Sequence, residues 1–272
     1  MAALSAVGTF LPAAVHAQDL AQATPVILLV AADGAPTDAG ANAWEQPAGP
    51  APTPEHTGLK ALGSNLLDDF KHLPAKENIW WAAVGGAGAL AVHPADTHVT
   101  PYFVKASWAE NFFEFGEVLG LVPTLVGASV GVYYVGRATG NKKVSHTGMD
   151  LLQAVAVSQA IVQTLKVTTR RERPDGTNKL SFPSGHSADT FAVATALERH
   201  LGWKGAVPGY IFSSYVAMSR LHDNRHYLSD VVFGSTVGII AGRTVTRPNN
   251  ESPVTVAPVP GGAAIVYTRH IE

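Results

Sequence analysis

Cysteine is absent from this chain of 272 residues, and charged side chains are scarce. The missing thiols exclude disulfides, thiolate metal sites and cysteine nucleophiles. Charged residues make up 15 % of the chain, against roughly 25 % in typical globular domains, and apolar residues make up 46 %. With 19 basic and 21 acidic residues the net charge is −2, which gives no indication of a nucleic-acid partner. The composition leans toward a membrane protein.

The first 57 residues comprise an apolar start, a short apolar run and a stretch from Asp33 to Thr57 that shows neither helical nor strand period. Met1–Ala17 is apolar and resembles a secretory signal with cleavage after Ala17, although no Lys or Arg precedes it. We predict a signal peptide over 1–17 and export to the periplasm or to the periplasmic face of the inner membrane. The alternative is a flexible apolar N-terminus. Residues 18–57 are predicted to be a flexible linker rich in Ala, Gly and Pro. Its apolar run Pro25–Ala32 is shorter than the about 20 residues that cross a bilayer.

Residues 58–246 carry helical patterns and little strand alternation. An amphipathic helix over Gly58–Lys71 precedes six apolar segments. Val118–Val135 has 18 residues without a charge and is a candidate for a membrane helix. We predict an all-α bundle of about six core helices, at least partly membrane-embedded or membrane-associated. The other five segments are Ile79–Val92, Leu151–Val167, Ala188–Leu201, Val207–Met218 and about Asp230–Gly242.

The C-terminal tail, 247–272, is rich in Pro, Val and Gly. Two short apolar stretches, Val254–Pro258 and Ala263–Tyr267, flank Gly261 and Gly262. This arrangement predicts a hairpin.

The first chemical cluster combines Lys166, Arg173 and Pro174. The two cations are seven residues apart, so on a continuous helix they share one face, and Pro174 turns the chain. Cations at the end of a buried helix suit an anion such as phosphate, to which a guanidinium can donate two parallel hydrogen bonds. A solvated helix end that interacts with the helix dipole is the structural alternative.

The second cluster, Ser181–Ser187, precedes a helical segment. Free amides at a helix N-terminus favour an anion, and Gly185 permits a close approach of the backbone. His186 would then stand beside that anion. The structural alternative is a turn in which Ser184 or Ser187 is an ordinary helix cap.

The third cluster contains Arg220, His226 and Asp230. His226 and Asp230 are four residues apart, so on a helix the carboxylate would fix the tautomer of the imidazole and raise its basicity. This prepares His226 as a nucleophile or base. Two alternatives are a plain helix cap and a zinc site formed by His222, His226 and Asp230 on one helix face.

Taken together, the patterns Lys-x6-Arg-Pro, Pro-Ser-Gly-His and Ser-Arg-x5-His-x3-Asp resemble the type 2 phosphatidic acid phosphatase superfamily. This superfamily includes bacterial class A acid phosphatases and vanadium haloperoxidases. The resemblance covers 166–230 directly, and the connection between the first two patterns, Asp175–Phe182, is short for the family. The resemblance implies a metal-independent phosphatase without a cofactor that acts on phosphate monoesters or diphosphates, with lipid-linked substrates expected.

The same resemblance implies a role for each residue. Phosphate would be held by Lys166, Arg173, Arg220 and the amides of Ser184 and Gly185. His226 would attack phosphorus, Asp230 would orient His226, and His186 would protonate the leaving group and later activate water.

Three alternatives to a lipid phosphatase stay open at this point. They are a soluble periplasmic acid phosphatase of broad specificity, a vanadium-dependent haloperoxidase, and a non-catalytic membrane or scaffold protein. The sequence names neither the leaving group nor the oligomeric state.

Overall fold

A computed structural model of the protein describes residues 26–28, 58–105, 109–247, 254–259 and 262–267. The chain divides into two compact units, one from the first 49 residues and 248–272, the other from 50–247. The predicted signal peptide, 1–17, lies outside the described residues.

A three-stranded antiparallel sheet forms the described part of the first unit. Its strands are β1 (Val26–Leu28), β2 (Val254–Val259) and β3 (Gly262–Tyr267), in the order β1-β3-β2. The predicted hairpin in the tail is present as β2 and β3. Within the predicted linker, 18–57, the described residues Val26–Leu28 form β1 and pair with β3. The rest of that linker lies outside the described residues.

The second unit is helical, as predicted. Ten α-helices are described there, and a short 3₁₀ turn, His93–Ala95, links the second to the third. The helices are α1 (Leu59–His72), α2 (Lys76–Val92), α3 (Asp96–Lys105), α4 (Ala109–Phe113), α5 (Gly116–Leu119), α6 (Val122–Ala138), α7 (Lys142–Thr169), α8 (Gly185–Leu201), α9 (Trp203–His222) and α10 (Leu228–Val245). The amphipathic helix and five of the six apolar segments each correspond to one long helix. The sixth, Val118–Val135, is divided between α5 and α6, and α3 and α4 were not predicted.

Helix α8 lies at the centre of the bundle, in contact with α7, α9 and α10. Glycines at every fourth position of α10 allow this close packing. A Cβ atom at Gly238 would lie 2.2 Å from the carbonyl oxygen of Ala188, and one at Gly242 would lie 2.7 Å from that of Ala192. The small residues therefore let two helix backbones approach each other directly, as in tightly packed helix pairs.

The uncharged run Val118–Val135 is not one helix, which corrects the prediction made for it. It begins in α5, and a 61° bend separates α4 and α5 from α6. Pro123 stands in the first turn of α6, where its missing N–H costs no hydrogen bond, so it favours a helix start there. In the described part of the chain, α10 is the one helix that is long and apolar enough to cross a bilayer. If the bent pair formed by α4 and α5 with α6 is counted as a single span, there are two candidates. Within the bundle, 61 % of α10 is buried.

Large apolar side chains are exposed on several helices of the second unit. We call them the exposed apolar set: Ile79, Trp80 and Leu90 on α2, Tyr134 and Val135 on α6, and Trp203, Val207 and Ile211 on α9. Large exposed apolar surfaces mark sites of protein or membrane contact.

Candidate active site

Four long helices place their ends at one site. Helices α7 and α9 end there with Lys166 and Arg220, whereas α8 and α10 begin there with His186 and Asp230. The last turns of α7 and α9 therefore meet the first turns of α8 and α10. Side chains separated by up to 64 residues of sequence share a small volume because adjacent helices are antiparallel.

Lys166 and Arg173 do not share a helix face, contrary to the prediction. Helix α7 ends at Thr169 because Arg170 adopts a left-handed conformation with φ of 48°. The loop that follows is closed by backbone hydrogen bonds from Arg173 N to Asn178 O and from Ser181 N to Arg171 O. Lys166 is buried and donates to the carbonyl oxygen of Leu180, in the same loop. The loop thus brings Arg173 back toward Lys166.

The second cluster forms the start of α8. Ser184 is the N-cap, and its side chain accepts from Ser187. Its own amide donates to the carbonyl oxygen of Asp230 at 3.0 Å. The prediction that this amide holds phosphate is therefore not met in this arrangement, because the amide instead fixes the loop to α10. Gly185 is the first residue of α8, where backbone amides lack intrahelical acceptors. A Cβ atom at Gly234 would lie 2.5 Å from Ser184 O, so α10 needs glycine at this crossing.

Arg220 is buried and held by acidic residues that the sequence analysis did not select. Its guanidinium donates to Asp223 Oδ2 at 2.5 Å and lies 3.8 Å from Glu117 Oε2. Asp223 follows the end of α9, and Glu117 belongs to α5. These carboxylates fix the position of the cation in the site.

His226 and Asp230 approach each other, although they do not share a helix. His226 lies in the turn before α10, and Asp230 is the third residue of that helix. The distance from His226 Nδ1 to Asp230 Oδ2 is 3.7 Å, longer than a hydrogen bond. His226 Nδ1, His186 Nε2 and Arg173 Nε are buried without a hydrogen-bond partner among the described residues. Buried polar atoms of this kind call for a ligand or a bound solvent molecule.

The zinc alternative does not match the geometry. His222 is the last residue of α9, and the helix does not continue to His226, so the three candidate ligands do not line one face. The ring of His222 pairs instead with the carbonyl oxygen of Phe103 at 3.0 Å. No group of three His, Cys, Asp or Glu residues placed to hold a metal ion occurs in the described ranges.

The charges of the site act on one another strongly. Burial, then the charges of Arg220 and His226, lower the pKa of His186 to about 3. Burial, with a smaller contribution from Lys166, lowers the pKa of His226 to about 4. Burial and the charge of Arg173 lower the pKa of Lys166 to about 8. The charges of Lys166, Arg173 and Arg220 thus act on the two imidazoles, and the lowered pKa values favour neutral imidazoles near pH 7.

Several charged or polar groups around the site could not be found from the sequence. Asp96 and Arg171 contact Asp230 or its neighbours, and Ser181 donates to Asp230. Asp189 lies one turn after His186 and accepts from Ser158 and Gln159 of α7. Asp96 is 70 residues from the first cluster, and Arg171 looks like one more charge in a basic run. Neither position carries a local signal.

Comparison with known proteins bears directly on this arrangement. Residues 175–252 match the sequence model of the PAP2 superfamily. This part of the chain, which includes the second and third clusters, is similar to the PAP2 superfamily. The matched region contains Ser184, Gly185, His186, Arg220 and His226, whereas Lys166 and Arg173 precede it.

Individual relatives resemble only part of the chain. Lipid A 1-phosphatase of Porphyromonas gingivalis is 38 % identical over 126 residues, which are 45 % of this chain and 28 % of that protein. Decaprenylphosphoryl-5-phosphoribose phosphatase of Mycobacterium tuberculosis is 34 % identical over 98 residues, 33 % of this chain and 54 % of that protein. The chain thus spans 28 % and 54 % of the lengths of these two relatives.

Among solved structures, the transmembrane PAP2-type phosphatidylglycerolphosphate phosphatase of Bacillus subtilis is similar, with a TM-score of 0.48 and 20 % sequence identity. The match covers 68 % of this chain and 92 % of that one.

Proposed function

We propose that this protein is a metal-independent phosphatase that hydrolyses phosphate monoesters or diphosphates. The observation that carries the proposal is a group of three cations and two imidazoles at one end of the bundle. Lys166, Arg220 and His226 are buried, and Arg173 and His186 are half-buried. Three cations match the charge that develops on the oxygens of a transferring phosphoryl group. The partial sequence identity between this chain and two phosphatases supports the same reaction.

His226 is the nucleophile in this proposal. Its neutral ring can attack phosphorus, and the bond from phosphorus to the leaving oxygen breaks as the new bond to nitrogen forms. The carboxylate of Asp230 stabilises the imidazolium that results. Water then attacks the phosphohistidine and releases inorganic phosphate, which restores neutral His226.

His186 is the general acid and base in this proposal. It stands at the first turn of α8, beside helix amides and near Arg220. It donates a proton to the leaving oxygen in the first step and takes a proton from water in the second. The lowered pKa of His186 favours its neutral ring. A bound phosphate dianion favours protonation of His186, because its negative charge offsets the nearby cations.

We further propose that the substrate is a lipid phosphate or lipid diphosphate and that the protein is membrane-associated. The exposed apolar set supports this. Large exposed apolar surfaces mark sites of membrane contact, and tryptophans such as Trp80 and Trp203 favour the membrane interface. Export to the periplasmic side is part of the same proposal.

One screen tests the reaction and the substrate class together. Purified protein in EDTA is offered lipid phosphates, prenyl diphosphates and soluble esters such as nitrophenyl phosphate, and phosphate release is measured. We expect release in EDTA, fastest from lipid substrates, and acid-labile phosphohistidine after rapid quenching. Loss of activity in EDTA with restoration by zinc would contradict the metal-independent mechanism. Faster turnover of soluble esters, with extraction that needs no detergent, would instead indicate a soluble acid phosphatase.

Vanadate separates the phosphatase from the haloperoxidase. As a mimic of pentacoordinate phosphorus it is expected to inhibit phosphate release. Halide oxidation that requires added vanadate would overturn the proposal.

A further inference from the structure

Asp230 is surrounded by donors other than His226. Its Oδ1 accepts from Arg171 Nη1 at 2.6 Å, and its Oδ2 accepts from Ser181 Oγ at 2.5 Å and from the amide of Tyr227 at 2.9 Å. The side chain is completely buried. Its position is therefore fixed before any substrate binds, by groups that do not touch the phosphate site.

Arg171 connects Asp230 to a second buried carboxylate. Its Nη2 donates to Asp96 Oδ2 at 2.8 Å, and its guanidinium lies 4.2 Å from the centre of the Tyr227 ring. Asp96, at the start of α3, also accepts from the amide and the hydroxyl of Ser229, in the first turn of α10. One planar cation is thus held between two carboxylates, with an aromatic ring on its face.

The charges of this group leave a net negative charge behind His226. Asp96 and Asp230 contribute two negative charges and Arg171 one positive charge, so the group carries −1. Without Asp96, Arg171 and Asp230 would form a neutral pair, and the attraction for an imidazolium at His226 would be weaker. Without Arg171, two buried carboxylates would face each other, and Asp230 would take up a proton more readily.

We propose that Arg171 and Asp96 are positioning residues that act on His226 through Asp230. Arg171 fixes the orientation and ionisation of Asp230, and Asp96 restores the negative charge that Arg171 would otherwise cancel. Neither residue holds the phosphate. This inference rests on the proposed function, because it concerns the nucleophile of that reaction.

The test compares Arg171→Gln and Asp96→Asn with a neighbouring control, Arg170→Gln. Arg170 is exposed and its Nε donates only to the carbonyl oxygen of Val167, so the control removes a charge from the same loop outside the site. Steady-state rates in EDTA are measured from pH 3.5 to 8, with helicity and melting recorded for each variant. The charged or titratable groups around Asp230 are His226, Arg171, Lys166 and Arg173, with Asp96 and its partner His93 behind Arg171.

We expect kcat to fall about 10- to 100-fold in Arg171→Gln and in Asp96→Asn, the range seen when a residue that orients an active-site side chain is removed. KM is expected to change less than threefold. The acid limb of kcat/KM is expected to shift in opposite directions. In Arg171→Gln it moves to higher pH, since His226 and Asp230 lose a neighbouring cation. In Asp96→Asn it moves to lower pH, since they lose a neighbouring anion. A structural defect alone gives no such opposed shifts.

Arg171→Lys completes the series, since it keeps the charge and loses the planar fork. A reduced kcat with an unshifted acid limb is expected for it. The inference would be overturned if the acid limb of kcat/KM did not shift, or shifted in the same direction in Arg171→Gln and Asp96→Asn. A large rise in KM with unchanged kcat would also overturn it. If Arg171→Gln does not fold, the direction of the shift in Asp96→Asn decides.

The wild type and Arg170→Gln separate this inference from the proposed function. If both release phosphate and the other variants behave like them, only the positioning role is wrong. If the wild type releases no phosphate from any ester, the proposed function itself fails.

Discussion

Two groups of residues surround His226, and they differ in how their polar atoms are satisfied. In the cation group, Lys166, Arg173, Arg220 and His186, nitrogen atoms of Arg173 and His186 are buried without a partner in the described part of the chain. In the carboxylate group, Asp96, Arg171 and Asp230, every carboxylate oxygen accepts at least one hydrogen bond.

This difference indicates a division of roles. Unpaired buried donors are unfavourable in the empty protein and become satisfied when an anion binds. A saturated network gains nothing from a ligand and keeps its geometry throughout a reaction. The first group is suited to bind a phosphoryl group, and the second is suited to hold the nucleophile in place.

The largest effect is expected at the residue between the two groups. His226→Ala should lower kcat by on the order of 10⁴-fold or more, as in other enzymes that lose a nucleophile, and should abolish phosphohistidine formation with every substrate. Rapid-quench trapping measures this directly. His72→Ala, on α1 and outside the site, is the matched control and should remain active. An intermediate that persists in His226→Ala and is lost in His186→Ala would reverse the two roles.

A smaller and substrate-dependent effect is expected for His186 in the cation group. General acid catalysis typically contributes about 10²- to 10⁴-fold, so His186→Ala should lose about that factor with alkyl or lipid phosphates. With nitrophenyl phosphate the loss should be smaller, because that leaving group needs little protonation. The measurement is the ratio of kcat values for the two substrate types. Equal losses for both would contradict the assignment of His186 as the acid.

Arg173→Gln tests whether the unpaired donors bind phosphate. We expect KM and the inhibition constant of inorganic phosphate each to rise about tenfold or more, since a hydrogen bond to a charged group contributes about 1.5–3 kcal/mol. The carboxylate-group variants should leave phosphate inhibition unchanged, and Arg170→Gln is again the control. If Arg173→Gln bound phosphate as tightly as the wild type, the division between the two groups would be wrong.

The smallest effect concerns stability and pH. Burial lowers the pKa of His226 to about 4 and contributes to the value of about 3 for His186, against about 6.5 in an unfolded chain. The unfolded state therefore takes up protons first as the pH falls below about 6.5, so stability present above that pH is lost toward pH 4 and below. Melting temperature in detergent should decline over this range, and less steeply in His226→Gln. Parallel declines in both proteins would argue against a buried neutral His226.

The sequence predicted the long helices with good accuracy. The helix around 185–201 and the one around 228–245 follow from apolar periodicity, and Ser184 was recognised as a possible cap. Geometry inferred from spacing was less accurate. Arg173 was placed on the helix of Lys166, and His226 on the helix of Asp230, but both helices end or begin between the paired residues. Spacing arguments assume a continuous helix, and Arg170 in the left-handed conformation breaks that assumption.

By itself, the sequence determined the all-α class, the order of the three motifs and the chemistry of their side chains, because periodicity and residue type are local properties. Only the tertiary structure decided that the amide of Ser184 donates a hydrogen bond to the carbonyl oxygen of Asp230. It likewise decided that Asp96 and Arg171 stand behind the nucleophile. A buried charge is stable only when partners are arranged around it in three dimensions. Those partners come from α3, from the loop after α7 and from α10, at distances along the chain that no local pattern records.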